Sequence, residues 1–120
     1  MRHHNKNRKF GLQKGEREAL VHSLVVALIT HGKITTTEAR AKTLRPTIEK
    51  MVTKARGATL ADVRLLKSRL NNNTKITNML VKEIAPKYAD RKGGYTRITK
   101  LGARSGGGDA SPLAMIEFVK

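Results

Sequence analysis

Between residues 33 and 56 the apolar positions recur at helical spacing. Ala41, Leu44, Ile48, Met51 and Ala55 follow one another at steps of three and four, with Val52 at the edge of the stripe. They therefore line one face of an amphipathic helix. Lys42, Arg45, Lys50 and Arg56 fall on the opposite arc, which is cationic. Thr35 and Glu38 have capping-box spacing, in which the hydroxyl accepts the third backbone N–H and the carboxylate reaches back to the cap. The pattern predicts a short extended piece over residues 33–35 and a helix from about residue 36 to 55, ended by Gly57. Pro46 lacks an N–H and crowds the carbonyl four residues back. Because the stripe stays in phase beyond it, the expectation is one kinked helix.

Residues 16–31 predict a first helix, with Leu20, Leu24, Ala27 and Leu28 as its stripe. Val21, Val25, Val26 and Ile29 carry apolar character most of the way round, so this helix is expected at the centre of the molecule. Glu16, Glu18 and His31 suit the helix dipole, and Gly32 suits the left-handed position after the last turn. These packing roles account for His31 and His22 without chemistry. A third helix is expected to begin at Thr59, with Asp62 in its first turn and Val63, Leu66 and Leu70 inward. Asn71, Asn72 and Asn73 form a turn. Thr74 is read as the cap of a fourth helix with Ile76, Met79, Leu80 and Ile84 inside, closed by Pro86. Residues 87–92, Tyr88 included, read as a polar connector, and Gly93-Gly94 as a turn. Residues 95–101 and 113–119 read as two strands joined by a long Gly-rich loop. The fold class expected is α+β: a four-helix cluster around a central helix, with a small C-terminal β-sheet of two to three strands, residues 33–35 supplying the third. Residues 1–15 offer little apolar surface beyond Phe10 and Leu12 and cannot order by burial. The division is thus a basic arm over residues 1–15 and a single domain over 16–120.

Charge changes the picture most. The chain has 25 Lys and Arg against 9 Asp and Glu, a formal charge of +16 and a pI near 10.9. Such a field attracts polyanions. It is also uneven. Residues 1–17 and residues 87–104 each carry six basic side chains and one acidic one, while the last 16 residues are net acidic. The candidate contacts at the N-terminus are Arg2, His3, His4, Lys6, Arg8, Lys9, Lys14 and Arg17. Arg40, Lys42, Arg45 and Lys50 extend them along the long helix. Arg91, Lys92, Arg97, Lys100 and Arg104 form a second cluster on and near the C-terminal hairpin.

Other classes find little support. The longest apolar run, residues 24–29, is far short of the roughly 20 residues that span a bilayer. There is no cysteine, hence no disulfide scaffold and no thiolate metal site. The basic N-terminus has no apolar segment behind it and is not a secretory signal. No phosphate-cradling glycine loop, metal-ligand spacing or nucleophile–base pair is present, so neither cofactor nor metal is expected. His3 and His4 are adjacent, and in an extended segment their side chains point apart. Aromatic content is 3%, which leaves no string of rings for base stacking. A helix pair over residues 59–85, reading DNA through Lys75, Thr77, Asn78 and Lys82, is the runner-up, and a small basic nuclease the weaker alternative.

Lys33-Ile34-Thr35-Thr36-Thr37, then Ala39-Arg40-Ala41-Lys42, Leu44-Arg45-Pro46 and Glu49-Lys50 stand in an order that closely resembles the bacterial large-subunit ribosomal protein seventeen family. The opening Met1-Arg2-His3, with Arg8-Lys9 after it, and residues 84–118, IAPKYADRKGGYTRITKLGARSGGGDASPLAMIEF, extend the resemblance over nearly the whole chain. Asn7, Phe10 and Ser105 to Gly108 depart from the family pattern. The resemblance implies a structural, non-enzymatic constituent of the large ribosomal subunit, in the cytoplasm. Its partners would be large-subunit ribosomal RNA, bound through phosphate and shape, and neighbouring ribosomal proteins. No membrane and no small-molecule substrate is implied.

Overall fold

The computed structural model describes residues 10–57, 59–103 and 111–119. In chain order they form α1 (Lys14–His31), β1 (Lys33–Thr37), α2 (Glu38–Gly57), α3 (Leu60–Arg69) and α4 (Thr74–Asn78). The last runs on as a π-helical stretch, Met79–Ile84, and a 3-10 turn, Ala85–Tyr88; β2 (Thr96–Ala103) and β3 (Pro112–Phe118) complete the chain. The fold is α+β, as the patterning predicts.

The stripe on α2 is the core. Ala41, Leu44, Ile48, Met51, Val52 and Ala55 are all buried, and α2 packs against α1, α3, the π-helical stretch and all three strands. On α1 only Val25, Leu28 and Ile29 are buried. The central helix is therefore α2 and not, as expected, α1. Leu24 and Val26 of α1 are half-covered and pack against the edge of the core. The reason is connectivity: α2 follows β1 without a loop, which delivers it directly onto the sheet. Pro46 lies within one continuous helical span and is exposed, so the N–H it lacks falls on the solvent side.

The start of α2 differs from the expected capping box. Arg40 donates its backbone N–H to Thr37 Oγ1 at 3.3 Å, so Thr37 and not Thr35 serves the first turn. Three consecutive threonines offer the same hydroxyl, and strand pairing decides among them. Thr35, Thr36 and Thr37 are opposite Met115, Ala114 and Leu113, and the helix begins where that ladder ends. Gly32 has φ 80° and its N–H donates to Leu28 O at 2.7 Å, closing α1 as its position predicts.

The sheet has the order β1-β3-β2, antiparallel throughout. Ala114 and Ile116 of β3 are buried beneath α2. Between Lys100 and Gly102 the register against β3 slips, making Leu101 an extra residue, and Gly102 takes φ 87° there.

Thr59 caps α3, accepting from the Asp62 N–H at 3.2 Å. A Cβ on Gly57 would meet Asp62 Oδ2 at 2.7 Å, so a larger residue there would have to displace the Asp62 carboxylate. Asn71 and Asn72 take positive φ, which asparagine tolerates in tight turns. The next cap is Asn73, whose side chain accepts from the Ile76 N–H at 3.2 Å, with Thr74 one residue inside. Pro86 does not close this helix. It occupies the first turn of the 3-10 segment, where no N–H is required, and the chain stays helical to Tyr88. Tyr88 itself belongs to the core and not to a polar connector. Its ring lies 5.3 Å from Tyr95 and 6.4 Å from Phe118, and its hydroxyl donates to the Val119 carbonyl. Tyr95 is fully buried just before β2, whose first residue is Thr96.

Two predictions follow from this packing. Ile48→Asp places an unpaired carboxylate where the side chain has no exposure, at a cost of several kcal/mol against a total stability of ~5–15 kcal/mol. Its circular dichroism and melting should show an unfolded chain, whereas Lys50→Asp on the exposed arc should melt close to the parent. Unchanged melting of Ile48→Asp would put the wrong face inside.

Burial raises the pKa of Tyr88 above the ordinary tyrosine value, with the charge of Arg91 opposing. The neutral phenol is the form the fold favours. Its contribution is therefore complete below the unfolded-state pKa of about 10 and is lost as pH rises through the higher folded value. Denaturant unfolding on the alkaline side should show stability falling with pH, less steeply in Tyr88→Phe. Equal slopes in the two proteins would rule this out.

Candidate nucleic-acid interface

Of the predicted contacts, Arg2, His3, His4, Lys6, Arg8, Lys9 and Arg104 lie outside the described residues, as does the tip at Gly106 to Gly108. Lys14 is exposed in the first turn of α1. Arg17 is half-buried and donates through Nη1 to Leu12 O at 3.1 Å, so it ties down the incoming chain.

Four of the remaining candidates sit in exposed ion pairs. Lys42 and Lys100 approach the same oxygen of Glu38, at 2.8 and 3.5 Å. The hydrogen bond from Lys42 outweighs desolvation and, with the charge of Lys100 adding to it, holds the Glu38 carboxyl below its usual range. Arg45 reaches Glu49 at 3.4 Å, and Arg97 reaches Glu117 at 3.7 Å across the β2–β3 ladder, where the two residues are paired in register. Exposed pairs of this kind are weak and screened by salt, so a phosphate can take the carboxylate's place. Lys50, Arg91 and Lys92 are exposed with no carboxylate partner among the described residues; Arg40 is half-buried and likewise unpaired.

Three polar side chains of α2 hold the segment before β2 in place. Glu49 Oε2 accepts from the Thr96 hydroxyl at 2.8 Å and from the Thr96 N–H at 3.4 Å. Thr53 Oγ1 lies 3.2 Å from the Tyr95 hydroxyl, which donates to Arg91 O at 3.3 Å. Arg56 donates from Nη1 to that same hydroxyl at 2.6 Å and from Nη2 to Ala89 O at 3.4 Å. Arg56 is thus a buttress for the turn and not, as its place on the opposite arc suggests, a solvated cation. The guanidinium carbon stands 5.9 Å from the centre of the Tyr95 ring.

These bonds bring Lys92 beside α2. There Lys50, Lys54, Arg69 and Lys92, with Glu49, Thr53, Gly93 and Tyr95, line a cleft of about 450 Å3. Lys54 and Arg69 are not among the sequence-predicted contacts. Lys50 and Lys54 are one helical turn apart, a signal present in the sequence. Arg69 comes from the far end of α3, and nothing in its local pattern points here. The helix-pair alternative loses part of its reading face: Thr77 is buried and bonds Asn73 O at 2.8 Å, and the α-helical part of that element is only five residues long. No helix among the described residues is long and apolar enough to cross a membrane.

Tyr95→Phe removes the acceptor of Arg56 and should cost about 1–3 kcal/mol, since a half-buried guanidinium loses its shortest bond. Denaturant unfolding checks this, and an unchanged midpoint would mean the turn is held by packing alone.

The sequence matches the family "Ribosomal protein L17" over residues 20–119. It is 54% identical to the large ribosomal subunit protein bL17 of Persephonella marina over 120 residues, covering 100% of this chain and 96% of that protein. It is 46% identical to the bL17 of Neorickettsia sennetsu, over 99% of this chain and 100% of the relative, and 46% identical to that of Wolinella succinogenes over the same shares. With a match this complete on both sides, the chain belongs to the ribosomal protein L17 family, whose members are structural ribosomal components and not enzymes.

Proposed function

We propose that the chain is a structural constituent of the large ribosomal subunit that binds large-subunit ribosomal RNA through its backbone phosphates and shape, alongside neighbouring ribosomal proteins. Family membership carries the assignment to the subunit. The chemistry of the contact is read from the exposed cations, which lie on α1, α2, β2 and the turn before it, either unpaired or in weak surface pairs. In this reading the basic arm, drawn from the sequence as residues 1–15, is cut back to the residues before α1, which starts at Lys14; the arm binds RNA and the rest of the chain forms the domain that positions it. The first turn of α1 begins at Lys14, so the arm passes directly into the helix. With both tyrosines buried and Phe10 and Phe118 half-buried, the described surface offers bases little to stack on, and recognition falls to phosphate and ribose.

Binding to large-subunit ribosomal RNA should weaken steeply with salt. Even six phosphate contacts would lose on the order of a thousandfold between about 50 and 200 mM. The preference for RNA should survive excess duplex DNA; equal displacement by DNA would favour the helix-pair alternative. Deleting residues 1–9 removes Arg2, Lys6, Arg8 and Lys9 without touching α1. The shortened chain should keep its helical spectrum while the log–log salt slope shrinks by about three to four units, roughly one per lost phosphate contact. An unchanged slope would reduce the arm to a solvated terminus.

A further inference from the structure

We infer that the cleft between α2, the end of α3 and the turn at residues 92–94 is a phosphate-binding site in its own right, seating one stretch of RNA backbone. This rests on the reading that the chain binds ribosomal RNA, and it assigns Arg69 a role that the sequence does not suggest. The cations arrive from three separate elements: Lys50 and Lys54 from α2, Arg69 from the last turn of α3, and Lys92 from the turn that Tyr95 and Arg56 fix. Gathering like charges in one concavity opposes folding unless an anion occupies it.

The protein's own carboxylates fill that role only in part. Asp62, outside the lining, pairs with Lys54 at 3.7 Å. Glu49, the one carboxylate in the lining, gives its Oε2 to Arg45 and Thr96. Lys50, Arg69 and Lys92 are exposed and have no partner among the described residues. Arg69 is also well placed to stay there, because the C-terminal end of a helix carries partial negative charge that favours a cation.

The shape narrows the ligand further. A volume of about 450 Å3 lies within the ~300–1,000 Å3 of sites that take small molecules and exceeds the need of a lone ion. The only aromatic in the lining is Tyr95, which is fully buried, so no ring is offered to a base. A strand's phosphates repeat their charge along its length and match cations spread over three elements. The guanidinium of Arg69 can take two oxygens of one phosphate while the lysines act as point charges on its neighbours.

Full-length protein and large-subunit ribosomal RNA test this by binding across a salt series and by hydroxyl-radical footprinting. The proteins are the parent, Arg69→Ala, the triple variant Lys50→Ala/Arg69→Ala/Lys92→Ala, and Arg64→Ala, an exposed α3 residue outside the cleft. The replaced side chains are exposed, so no variant should melt below the parent, and the triple variant, relieved of like-charge repulsion, should melt at or slightly above it. The salt slope should fall by about one unit for Arg69→Ala and about three for the triple variant, and stay at the parent value for Arg64→Ala. The triple variant should lose protection over one contiguous stretch of RNA and keep the rest.

An unchanged slope and footprint would overturn the proposal, as would a uniform weakening that Arg64→Ala reproduces, the mark of a diffuse field. Intact RNA binding with failed entry into subunits would also overturn it, assigning the cleft to an acidic protein segment. A flat salt slope for the parent would sink the RNA reading itself, and is told apart because it shows before any variant is compared.

Discussion

Burial of one face of α2 is the constraint on which the rest of the structure depends. Six of its side chains are buried, and every strand and most of the other helices pack against it. Residues outside that stripe fasten the polar architecture: Glu49 to Thr96, and Thr53 and Arg56 to Tyr95. One helix thus settles both the core and the position of the turn that carries Arg91 and Lys92. A disturbance of α2 propagates to the charged surface because the two faces share a single rigid backbone.

What was legible in the sequence follows from this. The α2 stripe could be read residue by residue, since it keeps its period through Pro46 and is covered from one side. The caps at Gly32 and Thr59 were equally readable, because one residue type in one place satisfies the local geometry. The α1 reading erred because apolar content does not decide which helix lies in the middle. Order along the chain does, and α2 is delivered to the sheet by β1. The cap at Thr37 was hidden among three identical residues until the pairing with β3 was known. Tyr88 lay among Lys87, Ala89, Asp90 and Arg91 with no periodicity to mark it, and only tertiary contacts with Tyr95, Phe118 and Val119 bury it.

The charged surface was legible as composition and only partly as a site. Clusters at residues 1–17 and 87–104 stand out by charge density, and the α2 arc by helical spacing. Convergence is a different property. Arg69 and Lys92 are 23 positions apart and come to the same cleft because α3 packs back on α2 and the 92–94 turn is pinned to α2. Arg56 shows the converse: its spacing puts it on the cationic arc, yet its hydrogen bonds turn it into a structural post.

A chain with a formal charge of +16 must also hold itself together before any anion arrives. Four of its carboxylates, Glu38, Glu49, Asp62 and Glu117, sit at joints between elements. Glu38 at the start of α2 reaches Lys100 of β2, Asp62 of α3 reaches Lys54 of α2, and Glu117 of β3 reaches Arg97 of β2. Glu49 binds both Arg45 and the first residue of β2. Each pair is weak singly, but the three between elements lie where those elements meet, so local repulsion is relieved there while Lys50, Arg69, Arg91 and Lys92 remain unpaired. Those four carboxylates relieve repulsion at the seams, and the unpaired cations are left facing outward. That separation lets a strongly cationic surface stand on a core of modest size.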